Sequence, residues 1–354
     1  MQSTLMKSAD GKMPYFPALD GVRAYCVLLV MYNHVRNTAN VATLIEGHLG
    51  VDLFFIISGF LITTLLRRER HFSGRIDLRA FYWRRFFRII PVYSAVLLLY
   101  VGVCQLPSQA TKWTQLKAGL PYFMTFMNEY VKEPNHGNVF THTWSLGVEE
   151  KFYLVWPMLF FLGAKSPRTR MAIVAALLLG TGSLTVLRPG DLAQSYFGLM
   201  MGALMAVVLS GRYAPRIFLF LSKVPAFVAV VIFMCGFLAA TATPKLMIVF
   251  SAASAFFLSF LLARETWISK FHELPLMVWF GKRSYSMYLV HILCLNVIET
   301  RVAVDSFWKL LAVLFGSYIL SALVANFLYR TVEEPTRQAG RAFLARNKEV
   351  PAAV

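Results

Sequence analysis

The stretch LDGVRAYCVLLVMYNH, residues 19–34, determines how the rest of this chain is interpreted. It opens with Asp20 and Gly21, which predict a turn, then places Arg23 before a mostly apolar run that ends on His34. Eleven residues of α-helix rotate through about 1100°, so Arg23 and His34 are expected on one face, about 16 Å apart along the axis. Ionisable residues inside membrane helices are costly and usually face a protein interior or a water-filled cavity, so this stretch predicts a transmembrane helix with a functional site.

Composition and the length of the apolar runs predict an integral membrane protein. Of the 354 residues, 57% are hydrophobic and 15% are charged. The apolar runs are continuous rather than alternating at every second residue, which favours helices over a transmembrane barrel. The formal charge of +17 would also suit nucleic acid, but the basic residues cluster between the apolar runs, as in cytoplasmic membrane loops. We therefore expect the lipid bilayer, and no nucleic acid, as a partner.

The predicted fold is an all-α, polytopic helical bundle with about ten transmembrane helices. The ten stretches are roughly 19–36, 49–66, 89–106, 145–162, 171–187, 193–210, 224–240, 245–263, 284–300 and 307–329. An even number places both termini on one side, and cytoplasmic termini put most Lys and Arg in or beside inside loops. The predicted organisation is a cytoplasmic segment 1–18, a membrane domain 19–330 and a cytoplasmic tail 331–354. The first apolar run lacks a small-residue cleavage pattern, so it is expected to be retained.

His34 is the strongest catalytic candidate, because neutral imidazole can take a proton from a hydroxyl near pH 7. A buried structural histidine bonded to a backbone carbonyl is the alternative. Arg23 on the same helical face favours a site, although Arg23 could also be an ordinary anchor at the membrane surface. The four cysteines lack metal-ligand spacing, so the sequence predicts neither a disulfide framework nor a metal site.

Two arginines at the start of the third predicted span are candidates for binding phosphate. Arg85 and Arg88, in YWRRFFRIIPVY (residues 82–93), are three residues apart and share a helix face. Guanidinium groups grip phosphate oxygens in a bidentate fork. On spacing alone, positive-inside anchoring is the favoured interpretation, because the loop after the second span is the most basic segment of the chain. Its arginines are Arg67, Arg68, Arg70, Arg75, Arg79, Arg84, Arg85 and Arg88.

Two further motifs contribute candidates. In HTWSLGVEEKFYLVWP, residues 142–157, the adjacent carboxylates of Glu149 and Glu150 enter an apolar helix, and an inward Glu149 could orient His34 or bind a polar acceptor. Ser145 is expected to cap that helix. In GKRSYSMYLVHILCL, residues 281–295, Tyr285, Tyr288 and His291 lie close to one helical stripe, where tyrosines are usually interfacial residues and His291 is a weaker site candidate. Ser58 could be a nucleophile, but a small-residue helix contact formed together with Gly59 is the favoured interpretation.

With these segments in hand, the chain resembles the membrane acyltransferase-3 family, which includes bacterial O-antigen and nodulation-factor O-acyltransferases. The matching motifs occur in family order: LDGVRAYCVLLVMYNH, GHLGVDLFFIISGFLIT, RRFFRIIPVY, THTWSLGVEEKFYLVWP, GKRSYSMYLVH and VEEPTR. The family's Arg-(ten residues)-His pattern falls on Arg23 and His34, and its paired arginines fall on Arg85 and Arg88. Gly147 stands at a position that is often Ser, and Glu333-Glu334-Pro335 departs from the family's closing motif.

The resemblance implies transfer of an acyl group, most simply acetyl, from cytosolic acyl-CoA to a hydroxyl of a carbohydrate or glycolipid acceptor. No permanently bound cofactor is expected, and the short loops and single domain suit a bacterial inner membrane. Arg85 and Arg88 are expected to hold the CoA phosphates, while His34 deprotonates the acceptor or transiently carries the acyl group. Glu149 is expected to orient or charge His34, with Arg23, Tyr288 and His291 as further binding residues. Many members carry a C-terminal periplasmic esterase-like domain, which this chain is expected to lack. It is therefore expected to complete the transfer with its membrane domain or to pass the acyl group to a partner.

Two other classes of protein compete with the enzyme. A transporter or flippase of a polar substrate would use the same intramembrane charges as a permeation path. No inverted repeat and no mid-helix Pro-Gly pair supports that alternative. A structural membrane protein would leave the Arg23/His34 face and the Glu149/Glu150 pair without a role.

Overall fold

The computed structural model describes residues 15–38, 46–131, 139–162, 166–188, 190–302 and 306–349, and within these ranges it is helical, with no β-strand. The α-helices of the described residues are α1 Pro17–Thr38, α2 Leu49–Ser73, α3 Leu78–Cys104, α4 Ala110–Met124, α5 Trp144–Pro157, α6 Pro167–Leu187, α7 Asp191–Leu209, α8 Ala214–Lys223, α9 Ala226–Ala242, α10 Met247–Ala263, α11 Trp267–His272, α12 Pro275–Glu299, α13 Phe307–Leu328 and α14 Glu334–Glu349. Two π-helical segments, Met158–Leu162 and Tyr329–Glu333, extend α5 and α13. The predicted all-α class is therefore confirmed.

An α-helix lies at each of the ten stretches predicted to cross the membrane. Six helical segments of the described chain are long and apolar enough to do so: Leu49–Ser73, Leu78–Cys104, Pro167–Leu187, Leu192–Leu209, Pro244–Ala263 and Phe307–Arg346. Helices α8 and α9, bent by 98° at a short break, raise the number to seven if they form one span. These helices indicate an integral membrane protein. The count of ten and the side on which the termini lie stay predictions.

Helix α1 begins earlier than the sequence predicted. It starts at Pro17, so Asp20 and Gly21 lie inside the helix and the prediction of a turn there is wrong. Proline suits the first helical position, because its fixed φ matches the helix and its missing N–H would have had no intrahelical partner. Gly21 instead permits a close approach, since a Cβ there would lie 1.9 Å from the carbonyl oxygen of His272 in α11.

The chain divides into two compact units. The first unit comprises residues 1–33, 42–76 and 148–282, and the second comprises 34–41, 77–147 and 283–354. Within the first unit, α7 packs against α2, α6 and α10, and α10 packs against α9. A core of buried side chains that includes Leu53, Phe60, Phe250 and Leu258 fills this unit.

Glycines set the close packing of α2 against α7 in the first unit. A Cβ on Gly59 would lie 2.0 Å from the carbonyl oxygen of Leu199, and one on Gly202 would lie 2.0 Å from that of Ile56. Without a hydrophobic driving force between helices in lipid, small residues stabilise such pairs by letting the backbones approach. The helix contact that the sequence predicted at Gly59 is confirmed.

We expect Gly202→Ala to destabilise the protein by about 1–3 kcal/mol or more, because the new methyl meets backbone atoms that cannot rotate away. These atoms are the carbonyl oxygen of Ile56 and the amide nitrogen of Phe60, 2.7 Å from the added Cβ. Gly102→Ala is the matched control, since nothing lies within 4 Å of a Cβ at that position of α3. Thermal unfolding in detergent measures both variants, and equal midpoints would contradict the packing argument.

The second unit contains α3, α4, α13 and α14. The segment between residues 107 and 143 contains α4, and α4 packs against α3. Helix α14 packs on α3 where Gly340 faces the ring of Phe87. A small apolar core joins the end of α1 to α12 and α13 through Val35, Leu295 and Val313. This core places the end of α1, and with it His34, beside α12.

Candidate functional site

Three histidines from distant parts of the chain meet in the second unit. His34 lies near the end of α1, His142 in the 3₁₀ turn Thr141–Thr143, and His291 in α12. The ring centroid of His291 lies 5.1 Å from that of His34 and 5.0 Å from that of His142. His291 is 1% exposed and His142 is 7% exposed, while His34 is partly buried. We call these three residues the histidine cluster.

The hydrogen bond of His291 defines which of its ring nitrogens carries the proton. Its Nδ1 lies 2.6 Å from the carbonyl oxygen of Tyr288. A carbonyl only accepts, so Nδ1 carries the hydrogen and the neutral ring has its lone pair on Nε2. This Nε2 atom is buried and has no hydrogen-bond partner among the described residues. An unsatisfied buried acceptor is costly and requires an explanation, so Nε2 is a candidate acceptor for a proton or a ligand.

His142 repeats this pattern with its nitrogens exchanged. Its Nε2 donates to the carbonyl oxygen of Leu289 at 3.2 Å, which leaves the lone pair on a buried Nδ1 with no hydrogen-bond partner in the described chain. Burial lowers the pKa of His142 to about 3, so this imidazole is neutral at physiological pH. The cluster therefore presents two buried imidazole lone pairs beside His34.

Tyr288 holds two parts of this site together. Its hydroxyl donates to the carbonyl oxygen of His142, and because a carbonyl cannot donate, Ser145 must donate to the Tyr288 oxygen, 2.8 Å away. Ser145 lies inside α5, which begins at Trp144, so the predicted helix cap at Ser145 is wrong. Tyr288 is only 6% exposed, unlike an interfacial tyrosine. It positions the histidine turn against α12.

The turn that carries His142 is held by a buried polar network. The amide nitrogen of Asn128 donates to the Tyr93 hydroxyl at 2.9 Å and to Thr143 Oγ1 at 2.7 Å. Phe140, just before the turn, is fully buried at φ 65°, a left-handed conformation that costs energy for an aromatic residue. Such strain persists only where surrounding packing requires it and is common near functional sites.

His142 was not among the candidates that the sequence suggested. Its one signal is its place at the start of the 142–157 motif, where a histidine next to two threonines is not distinctive. His34 and His291 were found because an ionisable residue inside an apolar run is rare. The structure brings these two together, and it adds His142 from a turn.

The predicted phosphate-binding pair lies in α3 of the second unit. Arg85 and Arg88 are both partly buried, and the Arg85 guanidinium carbon lies 5.7 Å from the centroid of the Phe81 ring. The Tyr285 hydroxyl donates to the carbonyl oxygen of Ile89 at 3.1 Å, which ties α12 to the arginine-bearing part of α3. The same two helices thus carry Arg85, Arg88 and His291.

Two predicted residues lie in the first unit. Arg23 is partly buried, with Nη1 3.7 Å from Asp20 Oδ1 and its guanidinium carbon 6.0 Å from the Phe54 ring centroid. Glu149 accepts a hydrogen bond from Ser58 Oγ at 2.6 Å. This hydrogen bond joins Ser58 of α2 to Glu149 of α5. The expected action of Glu149 on His34 stays a prediction.

The described residues contain no group of three His, Cys, Asp or Glu side chains arranged to hold a metal ion. The second unit brings together imidazole lone pairs, a tyrosine hydroxyl and guanidinium groups. Neutral imidazoles shielded from water can accept a proton from a hydroxyl or an acyl group from a thioester.

Comparison with known proteins matches nearly the whole chain. A family model described as an acyltransferase domain matches residues 16–329. A protein of Staphylococcus aureus strain COL, provisionally named an O-acetyltransferase, is 30% identical over 93% of this chain and 58% of its own length. The O-acetyltransferase OatA of Staphylococcus aureus strain NCTC 8325 is 28% identical over 94% of this chain and 60% of its own length. No solved structure matches the chain. The chain thus spans less than two thirds of these relatives.

Proposed function

Since this chain belongs to the acyltransferase-3 family, we propose that it is a membrane O-acetyltransferase that uses cytosolic acyl-CoA. The acceptor is a hydroxyl of a carbohydrate or cell-envelope glycan, and the site of action is a bacterial inner membrane. One observation carries the proposal. A histidine cluster with two buried, unsatisfied lone pairs lies in the same unit as a pair of phosphate-binding candidates. Acyl transfer from CoA to a hydroxyl requires both a base and an anion-binding group.

The proposed reaction begins with His34. His34 takes the proton of the acceptor hydroxyl while that oxygen attacks the thioester carbonyl. The C–S bond then breaks, and the thiolate of CoA receives the proton from His34. In the alternative order, a ring nitrogen of His34 attacks the thioester, the C–S bond breaks, and CoA leaves as the thiolate, which takes a proton from solvent. The acceptor oxygen then attacks the acyl-imidazole, the N–acyl bond breaks, and the hydroxyl proton is returned to solvent. In both orders His34 returns to its neutral form.

The neighbours of His34 have supporting roles in this proposal. His291 accepts a hydrogen bond from the His34 imidazolium through Nε2 while its Nδ1 stays bonded to Tyr288. Tyr288, predicted as a binding residue, acts by positioning, since its hydroxyl is committed to His142 and Ser145. These contacts hold the cluster rigid, which favours proton transfer because the reacting groups need no reorientation.

Arg85 and Arg88 are proposed to hold the phosphates of CoA. Both lie in α3, three residues apart, so the two guanidinium groups share a helix face and can contact one phosphate together. Glu149 and Arg23, in the first unit, are proposed to bind polar groups of the acceptor or donor. Ser58 Oγ donates to the Glu149 carboxylate at 2.6 Å, which fixes the orientation of that carboxylate for this role.

Acetyl-CoA turnover by the purified protein tests the proposal. The protein is reconstituted into vesicles, and free CoA is measured with and without a crude preparation of envelope glycan. We expect glycan-dependent release of CoA together with incorporation of labelled acetyl into the glycan. Release without glycan would favour the acyl-histidine order. Glycan flux across the vesicle membrane without any CoA release would contradict the enzyme and support the transporter.

A further inference from the structure

Helix α8 runs across the direction of its neighbours in the first unit. It is bent by 98° from α9, and residues 224–225 separate the two helices. Helix α9 packs against α10 where Gly236 allows a close approach, since an added Cβ there would lie 2.6 Å from that of Ala253. Helix α10 belongs to the segment Pro244–Ala263, which is long and apolar enough to cross a membrane. With α9 and α10 spanning the bilayer side by side, α8 runs along its surface.

The ends of the neighbouring helices place α8 at the level of that surface. Helix α7, which is also long and apolar enough to cross a membrane, ends at Leu209, shortly before α8 begins. Helix α10 ends at Ala263, and Nη1 of the following Arg264 donates to the carbonyl oxygen of Ser222 in α8 at 2.8 Å. Because the ends of α7 and α10 mark where the chain leaves the hydrocarbon core, α8 lies at the depth of the lipid headgroups. The sequence predicts this surface to be the cytoplasmic one.

One face of α8 packs into the unit and the opposite face does not. Ile217, Phe218 and Leu221 contact the apolar core. On the opposite face, Leu219 is 59% exposed and Phe220 is 62% exposed, and we call these two residues the apolar pair. Adjacent exposed apolar side chains are unfavourable in water, whereas at a bilayer surface they enter the boundary between headgroups and acyl chains.

Three basic side chains accompany the apolar pair on the exposed face. Arg212, Arg216 and Lys223 are all exposed, and we call them the basic triad. Residues three or four apart on a helix share a face, so Arg216 and Lys223 lie on either side of the apolar pair along the helix. The stretch 211–224 contains no acidic residue. A helix face that combines Leu and Phe with Lys and Arg is typical of helices that lie in the membrane interface.

We propose that α8 is an interfacial helix that binds anionic phospholipids of the cytoplasmic leaflet. The apolar pair enters the acyl boundary, and the basic triad contacts the headgroup phosphates, because each Lys or Arg held near an anionic leaflet adds to the attraction. The same exposed surface continues into α9, where Phe227 is 66% exposed, which favours lipid over a protein partner as the occupant. The proposal does not rest on the acyltransferase function.

The first measurement locates the apolar pair relative to the bilayer. A nitroxide is attached to Phe220→Cys in a Cys235→Ser background, since Cys235 is exposed and the other three cysteines are buried. The protein is reconstituted into vesicles of phosphatidylcholine and phosphatidylglycerol. We expect the label to be more accessible to oxygen than to a water-soluble nickel chelate. Arg75→Cys, at an exposed position between α2 and α3, is the water-facing control and should show the reverse.

The second measurement tests the charges. Arg212→Gln/Arg216→Gln/Lys223→Gln is compared with a control of equal charge at exposed positions, Lys117→Gln/Arg188→Gln/Lys245→Gln. Native mass spectrometry measures the phosphatidylglycerol retained relative to phosphatidylcholine, and unfolding midpoints show that both variants are folded. We expect this preference to fall by roughly tenfold or more in the first variant and to stay unchanged in the control. An unchanged preference in the first variant overturns the proposal. A chelate-accessible label at position 220 also overturns it and would indicate a protein partner instead.

Discussion

Replacement of His34 by Ala is expected to lower acetyl transfer by roughly 10²–10⁴-fold, the usual contribution of a positioned general base. His34 is the member of the histidine cluster proposed to exchange a proton or an acyl group with the substrates. The His34 ring lies beside His291, which in turn lies beside His142. The alanine substitution therefore removes one imidazole of the cluster and retains the other two. The measurement is glycan-dependent release of CoA from acetyl-CoA by the reconstituted variant.

Two controls separate lost chemistry from lost structure. His71→Ala removes an exposed histidine near the end of α2 and is expected to retain full activity. His34→Gln keeps a polar side chain of similar length, so it should insert and unfold like the wild type while remaining inactive. Near-normal turnover by a correctly inserted His34→Ala protein would refute His34 as base and as acyl carrier.

His291→Asn is expected to lower kcat by about 10- to 100-fold while leaving the KM for acetyl-CoA nearly unchanged. An asparagine side-chain N–H can replace the Nδ1–H that donates to the Tyr288 carbonyl, but it removes the buried Nε2 lone pair. That lone pair is proposed to accept a hydrogen bond from the His34 imidazolium. A hydrogen bond to a charged group contributes about 1.5–3 kcal/mol, which corresponds to this loss in rate.

A double variant distinguishes coupling between these histidines from a structural effect. If His291 acts through His34, then His34→Ala/His291→Asn should be no slower than His34→Ala alone, because residues that act as a unit are not additive. His272→Asn is the matched control, since His272 is also buried and its Nδ1 donates to a backbone carbonyl, that of Ile268, at 2.8 Å. Multiplicative losses, or equal losses at His272, would show that His291 only supports the fold.

The positions of the helices, and the ionisable residues that enter them, could be predicted from the sequence alone. Apolar run length is a local property, so helices lie at all ten stretches predicted as spans. The rarity of ionisable side chains within such runs is local too, and it was enough to identify His34 and His291. Exact ends were less predictable, as α1 shows, because Pro17 begins the helix ahead of the polar pair that resembled a turn.

The contacts that these residues make depend on how the helices pack. His34, His142 and His291 are more than a hundred residues apart from one another in the chain, and their meeting depends on how α1, α12 and the turn before α5 pack. The same holds for Ser58, whose carboxylate partner Glu149 lies on another helix. Periodicity states which face of a helix is apolar, but the neighbour of that face follows from the packing of the whole unit. For that reason, most candidate residues of the site could be predicted from the sequence, whereas their hydrogen bonds and unsatisfied lone pairs could not.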